Sequence, residues 1–411
     1  MKKRARLTLL SGILILIVIL VINQFSGQSD NSTLDVVQNE EESMEMSEST
    51  GEEENYNLFD DQTFMTTEHL DNRLEALSSN IVDRLQKGGP PPDGIPSIDQ
   101  PSFVDLAEAD QWLEENEPVI WVEVNGKARA YPLQILMWHE IVNDTINDVP
   151  ISITFCPLCN SSFSFKRDVG DHLLDFGTTG YLYEGAMLMY DRQTQSLWAH
   201  FGGEALGGPL KGERLELVPS SIVAWREFKE TYPDGLVLSK DTSFERNYGQ
   251  NPYVGYDQAD EPPFLFSGEI DGSFAPKERI VAVEVADQAK SYLTETLSEK
   301  GVINDSELAE DIVLFFKEGT ASGLDDASIA SGKEVGSSNV FFSEVDGETL
   351  EFYKDGESFK DSQTESTWNF FGEATSGPLE GEKLTPVPFK LDTFWFAWAA
   401  YEPDTLLYVA E

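Results

Sequence analysis

The feature that most constrains the fold is an internal repeat that spans most of the chain. Residues 122–131 read VEVNGKARAY and residues 283–292 read VEVADQAKSY. Further along, residues 191–198 (DRQTQSLW) and residues 361–368 (DSQTESTW) each lead into a Gly-Glu-Ala and Gly-Pro-Leu run. The spacing far exceeds the period of about 20–50 residues that is typical of solenoids. The repeat therefore predicts two homologous lobes, packed about a pseudo-two-fold axis.

Each copy carries many short runs typical of strands and a few helical ones. Asn125-Gly126 lies between two apolar runs and predicts a hairpin over residues 118–131. A strand is predicted over residues 149–155. Helices are predicted over residues 64–85, 104–115, 133–142 and 220–232. We expect an α+β fold with two homologous, mainly antiparallel β lobes and a few helices, related by internal duplication.

Composition divides the chain into six segments. In order they are a signal anchor or signal peptide, a disordered acidic tether, an amphipathic helix with a Pro/Gly linker, the first lobe, an aromatic and Pro-rich connector, and the second lobe. The predicted bounds are 1–22, 23–63, 64–100, 101–246, 247–275 and 276–411. The first lobe carries the chemistry-bearing motifs, and the second lobe is expected to have no site.

The N-terminal segment combines early cations with an apolar run. Lys2, Lys3, Arg4 and Arg6 precede apolar residues 7–22, a pattern typical of secretory signals. No small-x-small cleavage site follows, so we favour an uncleaved, single-pass anchor in the cell membrane with the body outside the cytoplasm. Cleavage would instead give a secreted or periplasmic protein. Either location is permissive for disulfide chemistry.

The net charge narrows the class of partner. The chain has a formal net charge of −46, and a surface this acidic repels nucleic acid and anionic lipid. We therefore expect an unidentified small molecule or protein as partner, no nucleic acid, and membrane contact through the N-terminal segment only.

The two cysteines of the chain form one Cys-x-x-Cys motif. Cys156 and Cys159 follow the strand predicted over residues 149–155, and the second copy has Lys317 and Glu318 near the equivalent strand end. Two thiolates at this spacing can share a metal ion or close a small disulfide ring. A ring this short constrains the unfolded chain little, which argues against a purely structural disulfide.

Three further residues of the first copy are candidates for the same site. His139 and Glu140 lie in the run WHEIVND, and His200 follows Trp198. His139 would complete a Cys₂His metal site or tune a thiolate pKa, with Glu140 orienting a ligand or acting as a general base. His200 would be a fourth ligand. The alternative interpretation of His139 is a core histidine whose ring bonds a backbone carbonyl.

One repeated motif is interpreted as structural. Asp191, Thr194 and Ser196 precede Trp198 by fixed spacings that recur in the second copy. Short polar side chains of this kind hydrogen-bond their own backbone at turns. We predict a turn that pins two strands in each lobe.

Together these motifs resemble DUF3179, a bacterial and archaeal family of unknown function. The matching segments are 93–96, 130–133, 138–144, 155–159, 191–198, 208–210, 248–253 and 276–279. The resemblance spans roughly Pro90 to Glu411 and implies a secreted or membrane-tethered protein. It implies no assigned reaction, so the chemistry rests on the residues themselves.

Three functional hypotheses follow. The leading one is a membrane-tethered protein with a transition-metal site for copper or zinc, whose ligands are Cys156, Cys159, His139 and His200. The second is a thiol–disulfide oxidoreductase that uses Cys156 and Cys159. The third is a non-enzymatic module that binds a ligand in a cleft between the lobes, lined by residues 248–266. Whether the chain is an enzyme stays open, with Cys156, Cys159 and Glu140 as the candidate catalytic residues.

Overall fold

A computed structural model describes residues 64–409 of the chain. The predicted anchor at 1–22 and the predicted tether at 23–63 lie outside the described residues. Among residues 64–409, no helix is both long and apolar enough to cross a bilayer.

The described chain forms short helices and many short strands. The α-helices are α1 (Thr67–Glu75), α2 (Ser79–Val82), α3 (Leu106–Ala109), α4 (Leu133–His139), α5 (Trp225–Thr231), α6 (Thr294–Lys300) and α7 (Trp395–Tyr401), with a 3₁₀ turn at Ile329–Ser331. The strands up to residue 238 are β1 (Leu85–Lys87), β2 (Phe103–Val104), β3 (Pro118–Val124), β4 (Lys127–Pro132), β5 (Ile141–Ile146), β6 (Val149–Cys156), β7 (Ser161–Lys166), β8 (Asp168–Val169), β9 (His172–Leu173), β10 (Phe176–Tyr183), β11 (Ala186–Asp191), β12 (Leu197–Ala199), β13 (Ala205–Gly207), β14 (Leu217–Val218), β15 (Ser220–Ala224) and β16 (Leu236–Leu238). The later strands are β17 (Arg279–Val285), β18 (Gln288–Leu293), β19 (Val302–Asp305), β20 (Ile312–Lys317), β21 (Ser337–Phe342), β22 (Glu344–Val345), β23 (Glu348–Thr349), β24 (Phe352–Asp355), β25 (Ser358–Asp361), β26 (Thr367–Trp368), β27 (Ala374–Ser376), β28 (Phe389–Phe394) and β29 (Leu406–Leu407).

The sheets are mainly antiparallel, and the α+β class is confirmed. Before the connector, the three larger sheets have the orders β15-β3-β4-β16-β2, β14-β7-β6-β5 and β1-β10-β11-β12-β13. After it, the orders are β28-β17-β18-β29, β19-β20-β21 and β24-β25-β26-β27. The pairs β4/β16 and β18/β29 run parallel. Among the described residues, the order of elements from β3 to β16 largely recurs from β17 to β29, whereas α1–α3, β1 and β2 are not repeated.

The predicted hairpin over residues 118–131 is confirmed. β3 and β4 pair in register from Val119↔Pro132 to Val124↔Lys127. The two turn residues, Asn125 and Gly126, have φ values of 49° and 75°. Positive φ at both central positions is the signature of the type I′ turn that Asn-Gly favours.

All four helix predictions were too long, and the helix predicted over residues 133–142 ends at His139 because strand β5 begins at Ile141. Residues 220–224 form strand β15, paired with β3, before helix α5 begins at Trp225. The prediction over residues 64–85 fails because Ser78 adopts an extended conformation between α1 and α2. The helix predicted over residues 104–115 reaches only from Leu106 to Ala109. In β15, pairing with β3 overrides the helical spacing of the apolar residues.

The predicted structural turns are confirmed in both halves. Trp198 Nε1 donates to Asp191 Oδ2 at 2.9 Å, and Trp368 Nε1 donates to Asp361 Oδ2 at 2.9 Å. The backbone N–H of Thr194 also donates to Asp191 Oδ1 at 2.5 Å. Each buried carboxylate therefore satisfies a loop amide and an indole at once, which explains the spacing of the motif.

The first half, before the connector at 247–275, and the second half, after it, share hydrophobic cores. Phe389 of β28 packs on Phe163 of β7, with ring centroids 5.3 Å apart. Trp398 of α7 lies 6.2 Å from Phe201. A buried polar contact also crosses between the halves, where Ser221 Oγ donates to Asn339 Oδ1 at 2.5 Å. The second half therefore supports the first half directly.

Candidate functional site around the paired thiols

The Cys-x-x-Cys motif forms a tight turn between two paired strands. β6 ends at Cys156, which lies opposite Ser161 at the start of β7. Within the turn, Asn160 N–H donates to Pro157 O at 3.2 Å, and Asn160 adopts a left-handed φ of 51°. Cys156 and Cys159 are both buried free thiols. The strand predicted over residues 149–155 is confirmed, and it delivers the first sulfur at its end.

Three contacts from distant segments fix this turn. Tyr256 of the connector donates its hydroxyl to Leu158 O at 2.9 Å. The carbonyl of Cys159 accepts from Thr393 Oγ1 at 2.8 Å and from Phe394 N–H at 3.0 Å. Both of the latter donors belong to β28, so the half expected to have no site holds the thiol-bearing turn in place.

A pocket gives access to the first cysteine and not to the second. The pocket encloses about 740 Å³, a volume that includes its open mouth. Its lining is Gly88, Pro90, Ile95, Glu140, Cys156, Leu158, Thr178, Gly180, Tyr181, Leu182, Met187, Pro252, Tyr253, Phe264 and Leu265. Part of the aromatic connector therefore lines a pocket, whereas the third hypothesis placed its cleft between the lobes. The opposite wall comes from the linker and from β10 and β11, and not from the second half.

Glu140 occupies a strained backbone position beside Cys156. It follows helix α4 with φ 58° and ψ −30°, and its N–H and C=O bond Leu136 O and Phe155 N–H at 2.8 Å each. Gly301 makes the same two kinds of bond after helix α6, with φ 71°. Left-handed backbone costs a non-glycine residue about 1–2 kcal/mol. A glutamate where the other half has glycine therefore points to a functional requirement.

The Glu140 carboxyl is a buried acid whose ionised form is disfavoured by its surroundings. Burial and the nearby Cys156 sulfur raise the pKa of Glu140 well above its ordinary value of 4.5. Within residues 64–409, no group donates a hydrogen bond to this carboxyl. A carboxyl of this kind can hold a proton near neutral pH and exchange it with an adjacent sulfur.

The two thiols have unlike acidities. Burial opposes ionisation of Cys156, but hydrogen bonds from the Cys159 thiol and from the backbone of Cys159, Met187 and Leu158 outweigh it and lower its pKa. Burial raises the pKa of Cys159 well above its ordinary value, and the neighbouring Cys156 raises it further. Of the two thiols, Cys156 therefore ionises more readily, and Cys159 keeps its proton longer.

His200 reaches Cys159 through Ser161. Thr154 Oγ1 donates to Phe163 O, so it accepts from His200 Nε2 at 2.9 Å. The other ring nitrogen, Nδ1, then accepts from Ser161 Oγ at 3.2 Å, and Ser161 Oγ lies 2.9 Å from Cys159 Sγ. Burial lowers the pKa of His200 to about 3. The imidazole is therefore a neutral group that orients Ser161 beside the second sulfur.

His139 bonds partners other than the sulfurs. Its Nδ1 donates to Pro96 O at 2.8 Å, and its Nε2 accepts from the Tyr248 hydroxyl at 2.6 Å. Burial lowers the pKa of His139 to about 4. The carbonyl contact is the one that the alternative interpretation of this residue predicted. His139 ties the linker and the connector together, and both of these segments contribute pocket walls.

The family-model comparison covers most of the chain. A family described as "Protein of unknown function (DUF3179)" matches residues 92–405. The chain belongs to the DUF3179 family. No curated protein and no solved structure matches this chain.

The four predicted metal ligands of this DUF3179 protein do not converge. Across the part of the chain that the structure describes, no group of three or more His, Cys, Asp or Glu side chains could hold a metal ion. His139 has both ring nitrogens engaged elsewhere, and His200 is separated from Cys159 by Ser161. The residues therefore do not fit the predicted Cys₂His₂ arrangement, and metal binding by the two thiols stays a prediction.

Sequence reasoning on this DUF3179 protein missed several supporting residues. Ser161, Tyr256 and Thr393 contact the thiol-bearing turn, although none was a candidate from the sequence. Ser161 could have been predicted from the sequence, because it lies two residues after Cys159 at the start of a strand. Thr393 gave no signal, because its contact joins residues 234 positions apart in the chain.

Proposed function

We propose that this protein is a thiol–disulfide oxidoreductase in which Cys156 attacks, Cys159 resolves and Glu140 carries the proton. One observation carries the proposal. A thiol of lowered pKa shares an open pocket with a buried, neutral carboxyl, while its partner thiol has a raised pKa. This division of roles is what exchange through a mixed disulfide requires.

The first step forms a mixed disulfide with the substrate. The Cys156 thiolate attacks one sulfur of a substrate disulfide R–S–S–R′, forming a bond to that sulfur and breaking the S–S bond. The leaving thiolate R′–S⁻ takes the proton from the Glu140 carboxyl and departs as R′–SH. Glu140 is then a carboxylate beside two sulfurs, since its charge acts on Cys156 and on Cys159.

The second step closes the protein disulfide. The Glu140 carboxylate takes the proton of Cys159, whose thiolate attacks Cys156 Sγ and releases R–S⁻. The protein dithiol has then lost two electrons and the substrate disulfide has gained them, while Glu140 has its proton back. Ser161 favours this step because its hydroxyl, on turning from His200 Nδ1 to the Cys159 sulfur, donates to the thiolate and lowers the pKa of Cys159. Run in reverse, the same steps oxidise a substrate dithiol.

We also propose that the two halves arose by internal duplication. The element order, the paired Asp–Trp turns and the matching hydrogen bonds at Glu140 and Gly301 support this proposal. Another matched pair of contacts joins Tyr131 to Asp144 in one half, and Tyr292 to Asp305 in the other.

We place the protein at the cell membrane, with residues 1–22 as its anchor and its body outside the cytoplasm. The basic and apolar N-terminus supports this location. An extracytoplasmic compartment also supplies the disulfides that the proposed chemistry needs. Detection of the intact N-terminus in the membrane fraction by mass spectrometry tests the anchor, and a cleaved, soluble form would refute it.

A redox titration of the full-length chain tests the oxidoreductase. We expect the Cys156–Cys159 couple to have a potential between about −270 and −120 mV, the range of known dithiol catalysts. A value below about −300 mV is typical of a structural disulfide and would refute the proposal. Cys159→Ser should accumulate a mixed disulfide on Cys156, whereas Cys156→Ser should form none with a disulfide substrate.

Metal analysis of the same preparations separates this proposal from the leading sequence hypothesis. The wild-type chain, purified without a histidine tag, and Cys156→Ser are compared for copper and zinc. About one equivalent of metal that disappears in the variant would favour a thiolate metal site over redox exchange. Metal content that is low in both leaves the oxidoreductase as the better account.

A further inference from the structure

The pocket that opens onto Cys156 has no positively charged side chain in its lining. Its ionisable side chains are Glu140, Cys156, Tyr181 and Tyr253, and the remainder of the lining is apolar, small or a threonine. Burial raises the pKa of Glu140 well above its ordinary value and so favours the neutral carboxyl. Burial, and then Glu140 and Cys156, raise the pKa of Tyr253 well above its ordinary value. A carboxylate group of a ligand would lose its water here, gain no counter-charge and face the Cys156 thiolate.

The apolar part of the lining surrounds the reactive sulfur from several elements. Met187 lies on β11 and Leu158 in the thiol-bearing turn, while Phe264 and Leu265 come from the connector. These side chains offer contact to an apolar group attached to the sulfur that Cys156 attacks. A difference of one methylene in such a pocket changes binding by about 1–3 kcal/mol.

The connector residue at this pocket is held in an unfavourable backbone conformation. Leu265 has φ 56°, where a non-glycine residue is uncommon. Leu265 is half-buried and lines the pocket. Strain of this kind is found at ligand clamps. Leu265 therefore completes the apolar enclosure at a cost in backbone energy.

The net charge of the whole protein also disfavours the binding of anionic ligands. A net charge of −46 repels an anionic disulfide such as glutathione disulfide before it reaches the pocket. The lining offers no lysine or arginine that would compensate for this repulsion.

We infer that the substrate sulfur is carried on an uncharged, apolar group, and that anionic thiols and disulfides are rejected. This inference rests on the proposed oxidoreductase function. Two kinds of substrate carry such a sulfur: a low-mass apolar disulfide, and a peptide cystine flanked by apolar residues.

The test measures how fast four disulfides oxidise the reduced full-length chain, by loss of alkylatable thiol. The low-mass pair is diethyl disulfide and glutathione disulfide. The peptide pair is the disulfide-linked dimers of end-blocked Phe-Cys-Leu and end-blocked Glu-Cys-Glu. Each rate is divided by the rate of the same disulfide with dithiothreitol, which removes differences in intrinsic reactivity.

We expect each apolar member to be favoured over its anionic partner by about tenfold or more. A larger preference within the peptide pair identifies a peptide substrate, and a larger preference within the low-mass pair identifies a small molecule. Equal normalised rates within both pairs would overturn this inference and leave the oxidoreductase standing. No oxidation of the protein by any of the four would overturn both.

A charge placed in the pocket provides an independent test. Leu265→Lys should raise the normalised rate with glutathione disulfide by about tenfold or more and lower the rate with diethyl disulfide. Val254→Lys adds the same charge to an exposed connector position that does not line the pocket, and it should leave the ratio unchanged. Identical ratios in the two variants would contradict the proposed pocket.

Discussion

Replacing Glu140 with glutamine isolates the titration of the one carboxyl on which the proposed chemistry depends. In the folded protein, burial and Cys156 raise the pKa of Glu140 well above its ordinary value of 4.5. In the unfolded chain this carboxyl ionises near that ordinary value. Above about pH 4.5 the unfolded state therefore binds fewer protons, and the free energy of unfolding falls as pH rises. The stabilisation is fully present below about pH 4.5 and is lost as pH rises toward the folded pKa.

The magnitude follows from proton linkage. One proton retained only by the folded state changes stability by about 1.4 kcal/mol per pH unit. Glutamine has nearly the same shape and does not titrate. We therefore expect the difference in unfolding free energy, Glu140→Gln minus wild type, to rise by up to about 1.4 kcal/mol per pH unit above pH 4.5.

The assay is urea denaturation of the reduced protein from about pH 5 to about pH 8, with wild type and variant measured in parallel. The difference between the unfolding free energies of variant and wild type cancels the contributions of the other titrating groups. Parallel stability curves across this range would refute a raised pKa at Glu140, and with it the proposed proton carrier.

Glu117→Gln is the matched control. Burial raises the pKa of Glu117 to about 7, and its carboxylate accepts from Gln134 Nε2 at 2.7 Å. It does not line the pocket at Cys156. Its difference curve should level off near pH 7, after a total rise of about 3.4 kcal/mol at most. The Glu140 difference should also flatten at lower pH in a Cys156→Ser background, because the sulfur charge no longer raises the Glu140 pKa.

Three further results are expected. Ser161→Ala should slow closure of the protein disulfide but not mixed-disulfide formation, because the variant has no hydroxyl to turn from His200 and donate to the Cys159 thiolate. Rapid-quench kinetics check this, and an equal effect from Ser337→Ala, at the corresponding strand start, would contradict it. Tyr248→Phe should leave His139 Nε2 without its donor and cost about 1–3 kcal/mol in urea denaturation, and a loss below about 0.5 kcal/mol would show that this contact contributes little. Asp361→Ala should destabilise by about 1–3 kcal/mol because the buried Trp368 indole loses its acceptor, while the redox potential stays at the wild-type value; a shifted potential would show that this turn affects the thiol site.

Local patterns predicted much of the fold. The Asn-Gly hairpin, the strand that leads into the Cys-x-x-Cys motif and the paired Asp–Trp turns depend on residues close in sequence, and all three are confirmed. The helix predictions over residues 64–85, 104–115 and 220–232 were too long, because apolar spacing does not reveal strand pairing or an internal cap. Hydrogen bonds between distant strands are absent from any local pattern.

For the candidate site too, the sequence predicted some features and not others. The sequence by itself singled out Cys156 and Cys159, because the second copy carries Lys317 and Glu318 near the equivalent strand end. Glu140 and His139 were candidates because they lie together in the run WHEIVND, and His200 because the second copy has no histidine at the equivalent place. Both histidines were predicted to be metal ligands, since residue type alone does not say where a ring nitrogen points.

Only the tertiary structure decided which of these groups meet. Folding brings the Glu140 carboxyl and the Cys156 sulfur into one pocket. It also turns the imidazoles of His139 and His200 toward partners other than the sulfurs. It also places Thr393, far away in the sequence, against the thiol-bearing turn. The sequence thus determined which residue types were present, whereas burial and long-range contacts set their pKa values and access to solvent, and those properties determine chemistry.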